Sequence, residues 1–264
     1  MRKFNMRGML LAAALLGITM LGWAQQQGNE FHWKGQLAPD KVVEIKGVNG
    51  SIDAEGISGN EIQVDAVKSG PDADRVRVEV VESPDGVTIC AVYPNDNSGS
   101  ENRCTAGEGW HTHTRNVDAR VAFTVRLPKT LRFSGQTVNG KVTATGMGKQ
   151  VRANSVNGSV RVSTSDLAEA ASVNGSVEVH MGRSDWSGTL SFKTVNGSIT
   201  VEMPGDLNTD VRFRSVNGRL QCDFPLTLQG SIGRGRVSGT IGKGGRELNL
   251  ETVNGSAELR RASM

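Results

Sequence analysis

Closely spaced histidines, scattered carboxylates and three cysteines are the residues of this sequence whose types could support chemistry. In Trp110-His111-Thr112-His113, strand alternation would place His111 and His113 on one face, where two imidazoles could hold a metal ion. Glu108 is the nearest carboxylate in sequence. Two imidazoles and one carboxylate make a loose site, and the surrounding Gly- and Thr-rich segment reads as a solvated loop. No metal or other cofactor is expected.

Carbohydrate cleavage would need acids gathered on one face of the fold. Asp166, Glu169, Asp185, Asp206 and Asp210 instead lie in segments of variable length without a shared position. The expectation is a protein that is not an enzyme, with a polysaccharide lyase or hydrolase as the alternative. Cys90, Cys104 and Cys222 show no Cys-x-x-Cys spacing. The first two are expected to pair as a disulfide across the polar loop AVYPNDNSGSENR, in an oxidising compartment. Cys222 is expected to be an inert thiol facing the core.

The N-terminus supports that compartment. MRKFNMR is basic, and GMLLAAALLGITMLG (8–22) has the length of a signal-peptide apolar region rather than the roughly 20 residues of a membrane span. Gly22 and Ala24 suit a cut before Gln25, which makes 1–24 a signal peptide and leaves no membrane span in the mature chain. No cysteine follows the apolar run to carry a lipid. Removing Arg2, Lys3 and Arg7 leaves 27 residues of each charge, so the basic balance belongs to the leader and gives no reason to expect nucleic-acid binding.

The elements that position these residues are repeats. Val-Asn-Gly occurs at 48–50, 138–140, 156–158, 173–175, 195–197, 216–218 and 253–255. From Val138 the first four spacings are 18, 17, 22 and 21 residues, a period typical of stacked units. Arg-Val-Ser-Gly-Thr-Ile (236–241) occupies the next slot as a degenerate copy. After each triplet comes a short alternating strand whose apolar residues fall four and six positions after the Val, such as Val160/Val162 and Val177/Val179.

Asn-Gly is also a strong hairpin signal, so an antiparallel hairpin meander or sandwich is the alternative fold. Independent hairpins would accept other turn residues, whereas every clear copy keeps both Val and Asn. Stacking explains that fidelity. Equivalent corners would lie about 4.8 Å apart, and amide side chains can then bond along the stack. The reading is an all-β, single-stranded parallel β-solenoid, right-handed, with coils of about 17–22 residues. Asn49, Asn139, Asn157, Asn174, Asn196, Asn217 and Asn254 would form the ladder, and Gly140, Gly158, Gly175, Gly197 and Gly218 would permit the bend. The preceding Val would pack on the Val of the next coil. Residues 25–264 are expected to be one domain, with 25–137 as diverged coils carrying the disulfide loop and 138–264 as regular repeats.

The sequence resembles a bacterial family of candidate adhesins, a domain of unknown function with a β-solenoid fold. The resemblance rests on GVNGSIDAEG with NEIQVDAV, on VRLPKTLRFSGQTVNGKVTATG, on the serial Ser/Thr-Val-Asn-Gly copies and on the closing DFPLTLQGSIGRGRVSGTIGKGGRELNLETVNGSAEL. It implies an extracytoplasmic, cell-envelope protein and supplies no catalytic residues. The functional expectation is an exported, adhesin-like scaffold or binding surface, periplasmic or at the cell surface. Its partner would be a polysaccharide, a surface or an envelope protein. An envelope-stress signalling partner is the other alternative. Five Asn-Gly-Ser sequons are turn chemistry, because the serine is replaced by Lys141 and Arg219 while Val-Asn-Gly is kept.

Overall fold

The computed structural model describes residues 23–95, 101–107, 114, 116–229, 233 and 235–263. The expected leader lies outside these residues except for Trp23 and Ala24, and Glu108, Trp110, His111 and His113 lie outside them as well. Among the described residues, no helix is long and apolar enough to cross a membrane.

The chain opens with a hairpin, β1 (Trp23–Gln27) and β2 (Glu30–Gly35), and then makes a first coil from β3 (Val42–Lys46) and β4 (Ile52–Ile57). β5 (Ile62–Ser69) and β6 (Arg77–Ser83) then flank the sheets antiparallel, whereas β7 (Gly86–Val92) and β8 (Arg120–Pro128) pair in parallel with β3 and β4. Four coils follow: β9 (Arg132–Asn139) with β10 (Val142–Met147), β11 (Val151–Asn157) with β12 (Val160–Thr164), β13 (Ala168–Asn174) with β14 (Val177–Met181), and β15 (Thr189–Lys193) with β16 (Ile199–Met203). Then come β17 (Thr209–Arg214) and β18 (Leu220–Cys222), the pair β19 (Leu226–Leu228) and β20 (Arg236–Ile241), and a last coil of β21 (Glu247–Glu251) and β22 (Ala257–Arg261).

Each coil gives one strand to each of two facing sheets, so the structure is a β-solenoid. One sheet runs β1-β2-β5-β8-β4-β10-β12-β14-β16-β22-β18, and the other β19-β20-β17-β21-β15-β13-β11-β9-β3-β7-β6. Neighbouring coils pair in parallel, as with Val160↔Val177 and Val177↔Ile199, which excludes the hairpin meander for the repeats. Alternation sets the core. The positions four and six after each triplet Val stack in columns, Val142–Val160–Val177–Ile199–Ala257 and Ala144–Val162–Val179–Val201–Leu259, and all of these are at most 1% exposed. Burying one such Val or Ile stabilises by about 1.5–3 kcal/mol.

Four expectations need correction. The segment 236–241 is no coil, since β20 pairs antiparallel with β17. It has Ser238 where a copy needs Asn, so it offers no amide to the ladder. Within 25–137, β7 and β8 pair in parallel with β3 and β4 and extend the stack, but β2, β5 and β6 run antiparallel to their neighbours and are no coils. The coil order also departs from chain order, because β22 lies between β16 and β18, and β21 between β15 and β17. Finally, in five of the seven copies the triplet Val is exposed, while Val48 is buried and Val138 half-buried against the core. Val156, Val173, Val195 and Val253 are 38–39% exposed, because alternation through the incoming strand turns Ala153 and Ser155 inward and Val156 out.

Candidate functional site

The most repeated residues are occupied by the stack itself. Asn139 donates its side-chain amide to Asn49 Oδ1 at 2.7 Å, Asn157 to Asn139 at 2.7 Å, Asn174 to Asn157 at 2.8 Å and Asn196 to Asn174 at 2.7 Å. Asn254 then donates to Asn196 and Asn217 to Asn254, both at 2.8 Å. The first rung is capped, with Asn49 donating to the Ala119 carbonyl at 3.3 Å. Tyr93 closes the same place. Its hydroxyl lies 3.2 Å from the carbonyls of Asn49 and Ala119, and burial pushes its pKa up to about 12.

The glycine is needed for a reason other than the bend. Of the seven triplet glycines only Gly50 has positive φ, at 131°. At Gly158, Gly175 and Gly197 a Cβ would stand 2.0–2.3 Å from the carbonyl oxygen of the preceding corner's glycine, closer than any carbon can come. Consecutive corners touch backbone to backbone.

A third component was not recognised from the sequence. The residue before the Val is Ser or Thr in six of the seven copies, and it faces inward. Ser155, Ser172 and Thr194 are buried and donate to the carbonyls of Gly140, Gly158 and Gly175, each at 2.8 Å. Thr137, Thr252 and Ser215 repeat the contact with Gly50, Gly197 and Gly255. The exception, Gly47, sits in the first coil, which has no earlier triplet glycine to bond. The signal is present in the recurring hydroxyl; its meaning depends on which way it points.

What remains open is a groove of about 740 Å³ on the outer face of the second sheet. Its floor is set by outward residues of β9 and β11, where Ser134 lies beside Arg152 and Gln136 beside Asn154. One rim is the loop leading on from the disulfide, since Cys90 and Cys104 are bonded and Ala106 and Gly107 line the groove. That loop is fixed by Lys46, wholly buried, which donates to the carbonyls of Thr105 and Gly107 at 2.8 and 2.5 Å. Glu44 neutralises Lys46 at 3.3 Å and accepts from Thr88 Oγ1 and the Gly107 N–H. Burial of that ion pair is tolerable because both partners are also hydrogen-bonded.

The side chains of Ser134, Gln136, Gln150 and Asn154 make no hydrogen bond among the described residues, although all four line the groove. On the outer faces, within and beyond the groove, charged side chains pair across coils. Arg152 bonds Glu169, Arg161 bonds Glu178 at 2.8 Å, and His180 lies 3.2 Å from both Glu178 and Glu202. The groove is therefore a patch of amide and hydroxyl groups available to a ligand.

The acids weighed for hydrolysis are brought only partly together. Arg183 bonds both Asp166 and Asp185, Ser184 bonds Asp206 at 2.8 Å, and Asp210 accepts from Thr240 at 2.7 Å. The hydrogen bonds from Arg183 hold the Asp185 carboxyl below its usual range, and those from Thr240 and the Gly245 N–H do the same for Asp210. A general acid needs its carboxyl pushed the other way. Among the described residues no group of three metal-ligating side chains is assembled. Cys222 is half-buried rather than fully enclosed, in register with Leu259, and burial raises its pKa.

No curated protein matches the chain. Among solved structures it is similar to a candidate cell adhesion protein from Clostridium sporogenes, with 10% identity, TM-score 0.46, and coverage of 88% of this chain and 99% of that one. It is also similar to candidate adhesins from Bacteroides fragilis (11% identity, TM-score 0.37, 89% and 98% covered) and Parabacteroides distasonis (11%, 0.31, 89% and 98%). The family described as Toastrack DUF4097 matches residues 39–260, the whole of the coil stack, and the chain belongs to that family.

Proposed function

We propose that this protein is an exported, non-enzymatic, adhesin-like scaffold of the bacterial cell envelope, and that its groove binds a polysaccharide. The observation that carries the reading is the contrast between consumed and available groups. Interior corner residues satisfy one another, and charges such as Arg161 and Glu178 pair across coils. Ser134, Gln136, Gln150 and Asn154, by contrast, present unbonded polar groups in one concavity. Amides and hydroxyls suit the hydroxyl arrays of a sugar chain, which both donate and accept. The Cys90–Cys104 bond supports an oxidising compartment, and the leader of residues 1–24 supports export. Residues 25–264 act as one unit in this reading.

A glycan array probed with the mature chain tests it, followed by turnover assays on each hit. Binding without turnover, weakened at least tenfold by the double variant Gln136→Ala/Asn154→Ala, is expected. Binding unchanged by that variant would remove the groove from the account, and product formation would move the protein to the enzyme class. A pull-down from envelope extracts that captures a protein with no glycan hit would favour the signalling reading.

A further inference from the structure

The four sheet ends are not finished alike. β1-β2-β5 continues the first sheet antiparallel beyond β8, β6 runs antiparallel to β7, and β19-β20 runs antiparallel to β17. At the fourth end β18 lies on the edge in solenoid register, with β22 its partner on one side among the described residues. Ala257 N–H donates to the Arg219 carbonyl and Asp223 N–H to the Leu259 carbonyl. In a parallel ladder the intervening Leu220 and Cys222 must then turn their N–H and C=O groups outward.

The corner beside this strand is open in the same direction. In interior coils a glycine N–H donates to the next asparagine carbonyl, as Gly175 does to Asn196, and a Val carbonyl accepts from the next coil, as Val173 does from Val195 and Asn196. The Gly218 N–H, the Val216 carbonyl and Asn217 Oδ1 have no such partner among the described residues. Val216 is 72% exposed, and Leu220 and Cys222 are half-buried where their counterparts in interior coils are sealed. On the other sheet the place is taken. Gly235 accepts the Ser215 N–H at 2.7 Å, so an entering chain meets the stack only from Val216 onward.

We infer that Val216–Gly218 and β18 form a docking edge for an extended strand of a different polypeptide, entered by an X-Asn-Gly corner and followed by alternating apolar residues. The exposed groups specify it. They require an amide donor for Asn217 Oδ1, a backbone N–H for the Val216 carbonyl, a carbonyl for the Gly218 N–H, and apolar side chains to cover Leu220 and Cys222. Main-chain pairing supplies affinity and the corner supplies register. A second copy does not fit this role. The side-chain amides of all seven of its own corner asparagines already donate, and the end carrying the outward amide donor, Asn49, is capped by Ala119 and Tyr93. This inference is independent of the groove.

The probe is a fluorescent peptide of residues 173–181, VNGSVEVHM, titrated against the mature protein with anisotropy as the readout. Saturable binding is expected, weakened at least tenfold by Asn174→Ala in the peptide and by Val216→Lys in the protein, and unaffected by Gln136→Ala/Asn154→Ala. Val216 is exposed, so its replacement leaves the fold in place, which circular dichroism verifies. No binding at millimolar peptide, or binding indifferent to both corner changes, overturns the inference. Dimerisation seen in sedimentation and abolished by Val216→Lys also overturns it, assigning the edge to a second copy.

Discussion

Asn217 donates its side-chain amide to Asn254, not to Asn196, the copy that precedes it in the sequence. Asn254 in turn donates to Asn196, so the last coil of the chain is inserted between two earlier ones. The ladder tolerates this because every rung offers one amide donor and one carbonyl acceptor, whichever coil brings it. The consequence is a stack whose order follows hydrogen-bond complementarity, with the chain passing outward through β17–β18 before it returns.

Backbone contact between corners predicts a sharp difference between glycines. Gly175→Ala puts a methyl 2.3 Å from the Gly158 carbonyl oxygen and is expected to destabilise by about 3 kcal/mol, the upper range for overpacking. Gly205→Ala meets only the Arg261 side chain, at 3.6 Å or more, and should be nearly neutral. Urea unfolding of both variants measures the contrast. Equal effects would mean that the corner glycine serves chain flexibility.

The buried hydroxyl row is expected to carry its own share. Ser172→Ala and Thr194→Val each leave a buried glycine carbonyl without its donor, at a cost of about 1–2 kcal/mol. Thr200→Val changes a hydroxyl on the outer face of β16 and should cost far less. Thermal denaturation of the three variants ranks them.

Acid should loosen the β17–β20 end. Asp210 has its folded-state pKa depressed below 3.8 by hydrogen bonds from Thr240 and the Gly245 N–H. Its contribution is therefore fully present above the unfolded value and is lost as pH falls through the folded one, so the window lies at about pH 4 and below. Hydrogen exchange at 238–245 should quicken across that window in the native protein and not in Asp210→Asn.

The disulfide predicts a coupled loss. Cys104→Ser is expected to cost about 3 kcal/mol, the chain-entropy value for a loop of this length. It also frees the segment whose carbonyls hold Lys46 and whose residues rim the groove. A glycan bound in the groove should then weaken in the variant even where circular dichroism shows the sheets intact. Undiminished binding would separate the loop from the site.

Much of the architecture was legible because the repeat is strict. The two apolar positions after each triplet could be counted directly, and Ile52, Val142, Val160, Val177 and Ile199 all lie in the core. The Val was misjudged because its parity belongs to the strand before the corner, where Ser155 and Ala153 face in. The antiparallel place of 236–241 and the inserted last coil were not legible, since spacing records chain order and the ladder does not. The groove was hidden for another reason. Gln136 and Asn154 hold the same place in adjacent copies, but the rim residues Asp85 and Gly107 come from outside the repeats, and nothing local marks them as neighbours.

The central claim is that Val-Asn-Gly is a stacked corner whose groups are consumed by the fold. Deamidation at Asn-Gly requires the glycine nitrogen to attack the asparagine side chain. In the stack, the Gly175 N–H is bonded to the Asn196 carbonyl and the Asn174 amide to Asn157. Mass spectrometry after prolonged incubation, comparing native and urea-unfolded protein, reads this at Asn157, Asn174 and Asn196. Deamidation at least tenfold slower in the native protein at all three is the expected result; equal rates in the two states would contradict the ladder.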